Sequence, residues 1–257
     1  MLKIIADLHL AKGVPQKTME IFGDAWLGYM DRIHDAWSRN VSDKDIVLIP
    51  GDISWASDLQ EFKTDLSFLA DLPGKKVFIR GNHDYWSSAS YKKISAILPK
   101  DCFFIKNNCF LLPEASVAIT GARLWNSESI VTDSRLFNDD HGDTDERHIR
   151  RDSLEDRKIF LRELDRLELG LKSIPENFER RIVMTHFPPI SSDGTSGPVS
   201  DMLEKYNVEV CFFGHLHGIK SVFRKEKPIF GKIGRVDYRL TSADFLNFNP
   251  LEYPLSL

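Results

Sequence analysis

An α/β fold built on a mixed sheet is what this sequence predicts, on two observations. Short apolar runs rich in Ile, Val and Phe alternate with helical patterns early in the chain, and the tail turns to short paired runs around glycines. Alternation of buried-strand and amphipathic-helix patterns marks parallel β-α-β units. The strand-like runs are Leu2 to Ala6, Ile46 to Ile49, Lys76 to Ile79, Val117 to Thr120, Ile182 to Met184 and Val208 to Phe213. Helical patterns lie between the early ones: Met19 to Ser38, with Ile21, Phe22, Trp26, Tyr29, Ile33 and Trp37 near one face, and Ser57 to Leu69. From Asn126 to Arg151 the chain is polar and acidic, with Asp139, Asp140, Asp143, Asp145 and Glu146, and reads as an inserted loop. Ser153 to Lys172 follows as a solvated helix with one buried stripe: Leu154, Leu161, Leu164, Leu167 and Leu171. In the tail, Ser221-Val222-Phe223 and Val236 to Leu240, set around Gly231 and Gly234, read as antiparallel strands, which makes the sheet mixed. With no repeat or linker, residues 1–257 read as a single domain carrying a polar insertion at about 126–151.

The totals narrow the function. A chain of 257 residues with 42% hydrophobic and 28% charged residues and a formal net charge of -4 has the balance of a globular protein. Such a charge lacks the electrostatic footprint that makes nucleic acid the default partner. Cys102, Cys109 and Cys211 form no CxxC pair, which fits a reducing compartment, and Cys211 reads as inert filling within a strand. The apolar run after Met1 is too short for a signal-peptide core, and no later stretch approaches membrane-spanning length, so the expected location is the cytoplasm, with no membrane partner.

Position carries the chemistry. Five of the strand-like runs stop in Asp7-Leu8-His9, Gly51-Asp52, Gly81-Asn82-His83-Asp84, Thr185-His186 and Gly214-His215-Leu216-His217. Parallel strands present their carboxyl ends on one edge, so side chains just beyond them converge in one crevice. Alternation along an extended segment places Asp7 with His9, and His215 with His217, on one side. Gly51, Gly81 and Gly214 fit tight turns that allow close approach. Carboxylate and imidazole without thiolate suit Mn, Fe or Zn as divalent ions. Two ions sharing Asp52 use all seven donors, Asp7, His9, Asp52, Asn82, His186, His215 and His217; such a pair acidifies a bridging water and clamps the oxygens of an in-line phosphoryl displacement. His83 can supply a proton to the leaving alkoxide, with Asp84 holding its tautomer.

Read in order, DxH, GD, GNHD, a lone His and GHxH resemble the signature of the calcineurin-like metallophosphoesterase superfamily, over residues 7 to 217. The resemblance implies a four-layer α/β/β/α sandwich with two mixed β-sheets flanked by helices. It implies that Asp7, His9 and His217 hold one ion, that Asn82, His186 and His215 hold the other, and that Asp52 bridges. It assigns leaving-group assistance to His83, with Asp84 as its partner. The expected activity is that of a dinuclear metal-dependent phosphohydrolase, in which a metal-bridging hydroxide attacks a phosphomonoester or phosphodiester of a small substrate, a nucleotide among the candidates. The alternatives are a nuclease or cyclic-nucleotide phosphodiesterase on the same site, or a non-catalytic interaction protein on this scaffold. His83 kept beside seven ligands argues against the last. Extra phosphate-binding arginines of the eukaryotic-type protein phosphatases have no evident counterpart, since Arg80 lies inside a strand pattern.

The remaining candidates favour structural readings. Five of the eight histidines fall in the motifs, while His34, beside Asp31 and Asp35, reads as a surface residue and His141 and His148 as solvated loop residues. Trp55 and Trp86 are placed to line the mouth of the crevice, although aromatics more often pack. The acidic insertion starts just past Trp125, on the same edge, where a lid would sit.

Overall fold

The computed structural model describes residues 1–138, 153–225 and 230–255. His141, His148 and the acidic half of the insertion, residues 139–151, on which the expected lid rests, lie outside them.

Two mixed sheets form among the described residues, one of five strands and one of six. The first joins β1 (Leu2–Ile4), β2 (Ile46–Pro50), β3 (Lys75–Ile79) and β4 (Cys102–Phe104) in parallel, with β11 (Leu251–Tyr253) antiparallel at its edge. The second joins β6 (Val117–Ala122), β7 (Arg180–Thr185), β8 (Val208–Phe213) and β10 (Val236–Leu240) in parallel, edged by antiparallel β5 (Phe110–Leu112) and β9 (Gly231–Ile233). The apolar runs are buried on both faces, and the strand period of two sends alternate residues to different cores. Leu2, Ile4, Leu48, Val77 and Ile79 meet Val117, Ile119, Ile182, Met184 and Phe212 between the sheets. Val47, Ile49 and Phe78 face outward onto α1 (Tyr29–Asn40) and α2 (Leu59–Asp71) through Ile33, Trp37, Phe62 and Leu66. On the other side Val183, Cys211 and Phe213 pack with Phe160, Leu167 and Leu203 of the flanking helices. Helix, sheet, sheet and helix therefore stack in four layers, as the resemblance implies.

Three elements depart from expectation. The pattern from Met19 to Ser38 is not one helix: Gly23 (φ 112°) and Gly28 (φ 60°) take left-handed backbone, so two 3-10 turns, Met19–Phe22 and Asp24–Trp26, precede α1. Besides the short α3 (Tyr91–Ser95), α4 (Leu154–Lys172) forms as the periodicity predicts, and Ser153 closes a capping box with Asp156. Its buried stripe is different: Leu154 and Leu161 are exposed, while Phe160, Glu163, Leu167, Gly170 and Leu171 face inward. After α5 (Pro198–Lys205), the run Ser221-Val222-Phe223 opens a helical turn, α6 (Val222–Lys225), and the antiparallel partner of β10 is β9 instead. Among the described residues, no helix is long and apolar enough to cross a membrane.

Candidate metal centre

The carboxyl ends of the parallel strands meet where the two sheets adjoin. Beyond β1 the chain passes between them: Ala6 N–H donates to Thr241 O of the second sheet's edge, and Asp7 N–H to Gly51 O of the first. That handover buries Asp7 between the GD turn and the GHxH segment, and His215 N–H donates to both Asp7 oxygens at 3.1 and 3.0 Å. Side-chain convergence does not come from the pleated alternation that the sequence suggests for Asp7 with His9 and His215 with His217. Asp7 (φ 59°), His9 (φ 45°), Asp52 (φ 51°) and His215 (φ 73°) all occupy left-handed backbone, which is unfavourable for residues with a Cβ and collects at functional sites. The turns leave no room for larger residues. A Cβ on Gly81 would stand 2.0 Å from Asp52 Oδ1, and one on Gly214 2.4 Å from Asp7 Oδ2.

Seven side chains come together. His9 Nε2 lies 3.3 Å from His217 Nε2 and 3.7 Å from Asp52 Oδ2. His186 Nε2 lies 2.6 Å from Asn82 Oδ1 and 3.3 Å from Asp52 Oδ2, and His215 Nδ1 lies 3.1 Å from Asn82 Oδ1. Among the described residues, Asp7 with His9 and His217, and Asp7 with Asp52 and His186, each bring their ligand atoms within 4.8 Å of one another. The first group is the trio that the resemblance assigns to one ion. Asp7, His9, Asp52 and His186 are at most 1% exposed.

Tautomers decide what such a cluster wants. His186 Nδ1 faces Pro50 O at 3.1 Å, and His217 Nδ1 faces Asp244 Oδ1 at 2.9 Å. A carbonyl or carboxylate oxygen only accepts, so both Nδ1 atoms donate. The lone pairs then sit on the Nε2 atoms, which face Asn82 and Asp52 oxygens in one case and Asp7 Oδ1 (3.8 Å) and His9 Nε2 in the other. Lone pairs aimed at acceptors in a buried space require a positive charge between them, and imidazoles held through their far nitrogen are typical of metal ligands. The donor set and its geometry fit divalent cations.

The acid-base balance agrees. Burial, with repulsion from Asp52, pushes Asp7 up to about 6, although His217 and His186 pull it down. Burial alone would lower His217, but Asp244, Asp7 and Asp52 overcome it and hold the imidazole up at about 9. Asp52 is held well below the usual carboxylate range: burial opposes its charge, and His186, His9 and His83 outweigh burial. In the metal-free cleft at neutral pH the His217 ring therefore holds a proton on Nε2, where a bound cation would stand.

His83 stands at the rim, half-buried, with its ring 4.3 Å from Trp55 and its backbone N–H donating to Asp52 Oδ1 at 2.8 Å. Asp84, expected to hold the tautomer of that ring, makes hydrogen bonds to other groups. Asp84 Oδ1 accepts from Ile53 N–H, Ser54 N–H and the Trp86 indole, and Oδ2 accepts from Gly81 N–H, so this carboxylate welds the GD turn to the GNHD turn. Burial and Asp52 raise it to about 7. Trp86 lies in the core, stacked on Phe62 at 3.8 Å, not at the mouth. Trp55 does line the site, stacked on His9 at 4.9 Å, and the glycine breaks before α1 bring Trp26 edge-on to His217 at 5.3 Å.

Two neighbours escape a search by motif. Asp244, four residues past β10, orients His217; Arg123, the residue after β6, accepts at its carbonyl the N–H groups of His186 and Phe187. The rule that points to Asp52 and His186, polar residues just past a parallel strand, points to these also.

A family model described as calcineurin-like phosphoesterase matches residues 2–218. A crystal structure of a protein of unknown function from Aquifex aeolicus is similar with a TM-score of 0.49 and 13% identity, over 98% of this chain and 94% of that one. No curated protein matches.

Proposed function

The chain belongs to the calcineurin-like phosphoesterase family, whose members are metal-dependent hydrolases of phosphate esters, and we propose that its own reaction is hydrolysis of a phosphomonoester or phosphodiester in a small phosphorylated substrate. In this reading Asp7, His9 and His217 would hold one divalent ion and Asn82, His186 and His215 a second, with Asp52 available to both. One observation carries it: the Nε2 lone pairs of His186 and His217 face the carboxylate oxygens of Asp52 and Asp7 in the cleft. Divalent ions bound there supply acidified water and charge neutralisation on the phosphoryl oxygens.

The chain's own residues do the rest. Asp244 and Pro50 O fix the two imidazoles so that their lone pairs point inward. Asp84 keeps Asp52, Asn82 and His83 in register by tying their two turns together. His83, exposed enough to meet substrate, gives its proton to the leaving oxygen. Trp26 and Trp55 wall the cleft from bulk water.

A hydrolysis panel of phosphomonoesters, phosphodiesters and cyclic nucleotides, run with manganese-loaded protein, tests the reading. Asp52→Asn is expected to lower metal retention and turnover on the order of a thousandfold. His83→Ala should keep its metal and lose roughly 10² to 10⁴ in rate, most for poor leaving groups. Equal activity of wild type and Asp52→Asn would end the proposal.

A further inference from the structure

Beside the candidate metal centre, three arginines from three elements close on one buried carboxylate. Arg80 follows β3, Arg123 follows β6 and Arg166 belongs to α4; their terminal nitrogens lie 2.6, 3.6 and 2.5 Å from the same atom, Glu163 Oε1. Glu163 is 1% exposed, and the three arginine side chains are 22%, 13% and 30% exposed. Lys106 adds a further cation, close enough to be repelled by Arg80 and Arg166.

A clamp between helix and sheets accounts for one such pair but not for this charge balance. Among the described residues, three guanidinium charges stand against one carboxylate, and like charges held together where water is partly excluded repel strongly. Each guanidinium carries five N–H donors in a planar fork, whereas contact with Glu163 is through one terminal nitrogen apiece. Arg123 Nε is buried with no hydrogen-bond partner among the described residues, and its guanidinium rests over the Trp125 ring at 4.3 Å, which fixes its plane. The place is equally specific. Arg80 adjoins Gly81-Asn82, and the Arg123 carbonyl holds the backbone of His186, so the cluster flanks the Asn82, His186 and His215 half of the centre.

We propose that Arg80, Arg123 and Arg166 form an anion subsite for a second phosphate of the substrate, which selects small molecules carrying two phosphate groups. Among the described residues the cluster carries an excess of positive charge, which suits a phosphate dianion, whose oxygens can take paired N–H donors from more than one guanidinium. The subsite rests on the phosphoesterase reading above, since it positions a second phosphate while the first is cleaved.

The full-length chain serves for the test, with Arg123→Gln and Arg166→Gln beside wild type and thermal melting to verify folding. Calorimetry on EDTA-treated protein measures binding of inorganic pyrophosphate, and each variant should bind about tenfold more weakly. With manganese-loaded protein, kcat/KM for a nucleoside 3′,5′-bisphosphate is divided by that for the corresponding 5′-monophosphate. That ratio should fall about tenfold in each variant. If Arg123→Gln does not fold, the more exposed Arg166→Gln alone decides. Pyrophosphate affinity or a ratio unchanged in the folded variants overturns the subsite. A wild type that binds pyrophosphate through these arginines but hydrolyses no ester overturns the phosphoesterase reading and supports the anion site.

Discussion

The candidate metal centre and the arginine cluster both draw on residues just past the carboxyl ends of strands in the two sheets, yet they gather opposite groups. In the first, Asp7, Asp52 and the inward lone pairs of His186 and His217 crowd together with no Lys or Arg among the described residues between them. In the second, Arg80, Arg123 and Arg166 crowd around the single carboxylate of Glu163. Folding forces both arrangements, because backbone bonds and buried apolar faces fix the strand ends whatever side chains they carry. Each region is thus left with an imbalance that a ligand of opposite sign relieves, and both signs suit a metal-assisted reaction on a phosphate ester.

Removing the balancing group in either region tests that contrast. The largest loss of stability is expected for Glu163→Gln, which leaves three guanidinium groups without their counter-charge and should cost about 3–5 kcal/mol in urea denaturation. Inorganic pyrophosphate should restore part of that loss by binding the folded form. A variant as stable as wild type would mean that the arginines are solvated, not held. For the metal centre, Asp244→Asn leaves the ligand set intact but frees the His217 ring, and should weaken manganese affinity about 10- to 100-fold in a titration. No change would show that Asp244 is only a neighbour.

A smaller effect comes from pH in the absence of metal. His217, held at about 9, lies above its unfolded value of 6.5, so the stability it contributes is complete below the unfolded value and is lost as pH rises through about 9. In EDTA the melting midpoint should therefore fall by about 5 °C between about pH 7.5 and 9.5, and the fall should flatten in Asp244→Asn. A midpoint that rises over this range would contradict the charge balance drawn for the site.

Much of this was legible in the sequence, for a physical reason. Apolar runs long enough to be strands and too uniform to be amphipathic identify β2, β3, β7 and β8, and topology then carries Asp52, Asn82, His186, His215 and His217 to one edge. What stayed hidden depends on contacts between distant segments. Glu163 reads as one more charge on a solvated helix, and its burial follows only from arginines at 80 and 123 that arrive on two different sheets. Asp84, adjacent to His83, reads as its partner, whereas the folded turns offer it three backbone N–H groups and an indole. Left-handed backbone at Asp7 and His9 is equally invisible, because no glycine marks it.

Elemental analysis of the dialysed protein after manganese loading tests the central claim most directly. Wild type should retain about two manganese ions per chain, and Asp52→Asn at most about one, held weakly. A wild-type chain that retains none, or an Asp52→Asn variant loaded to the same level, would contradict the account.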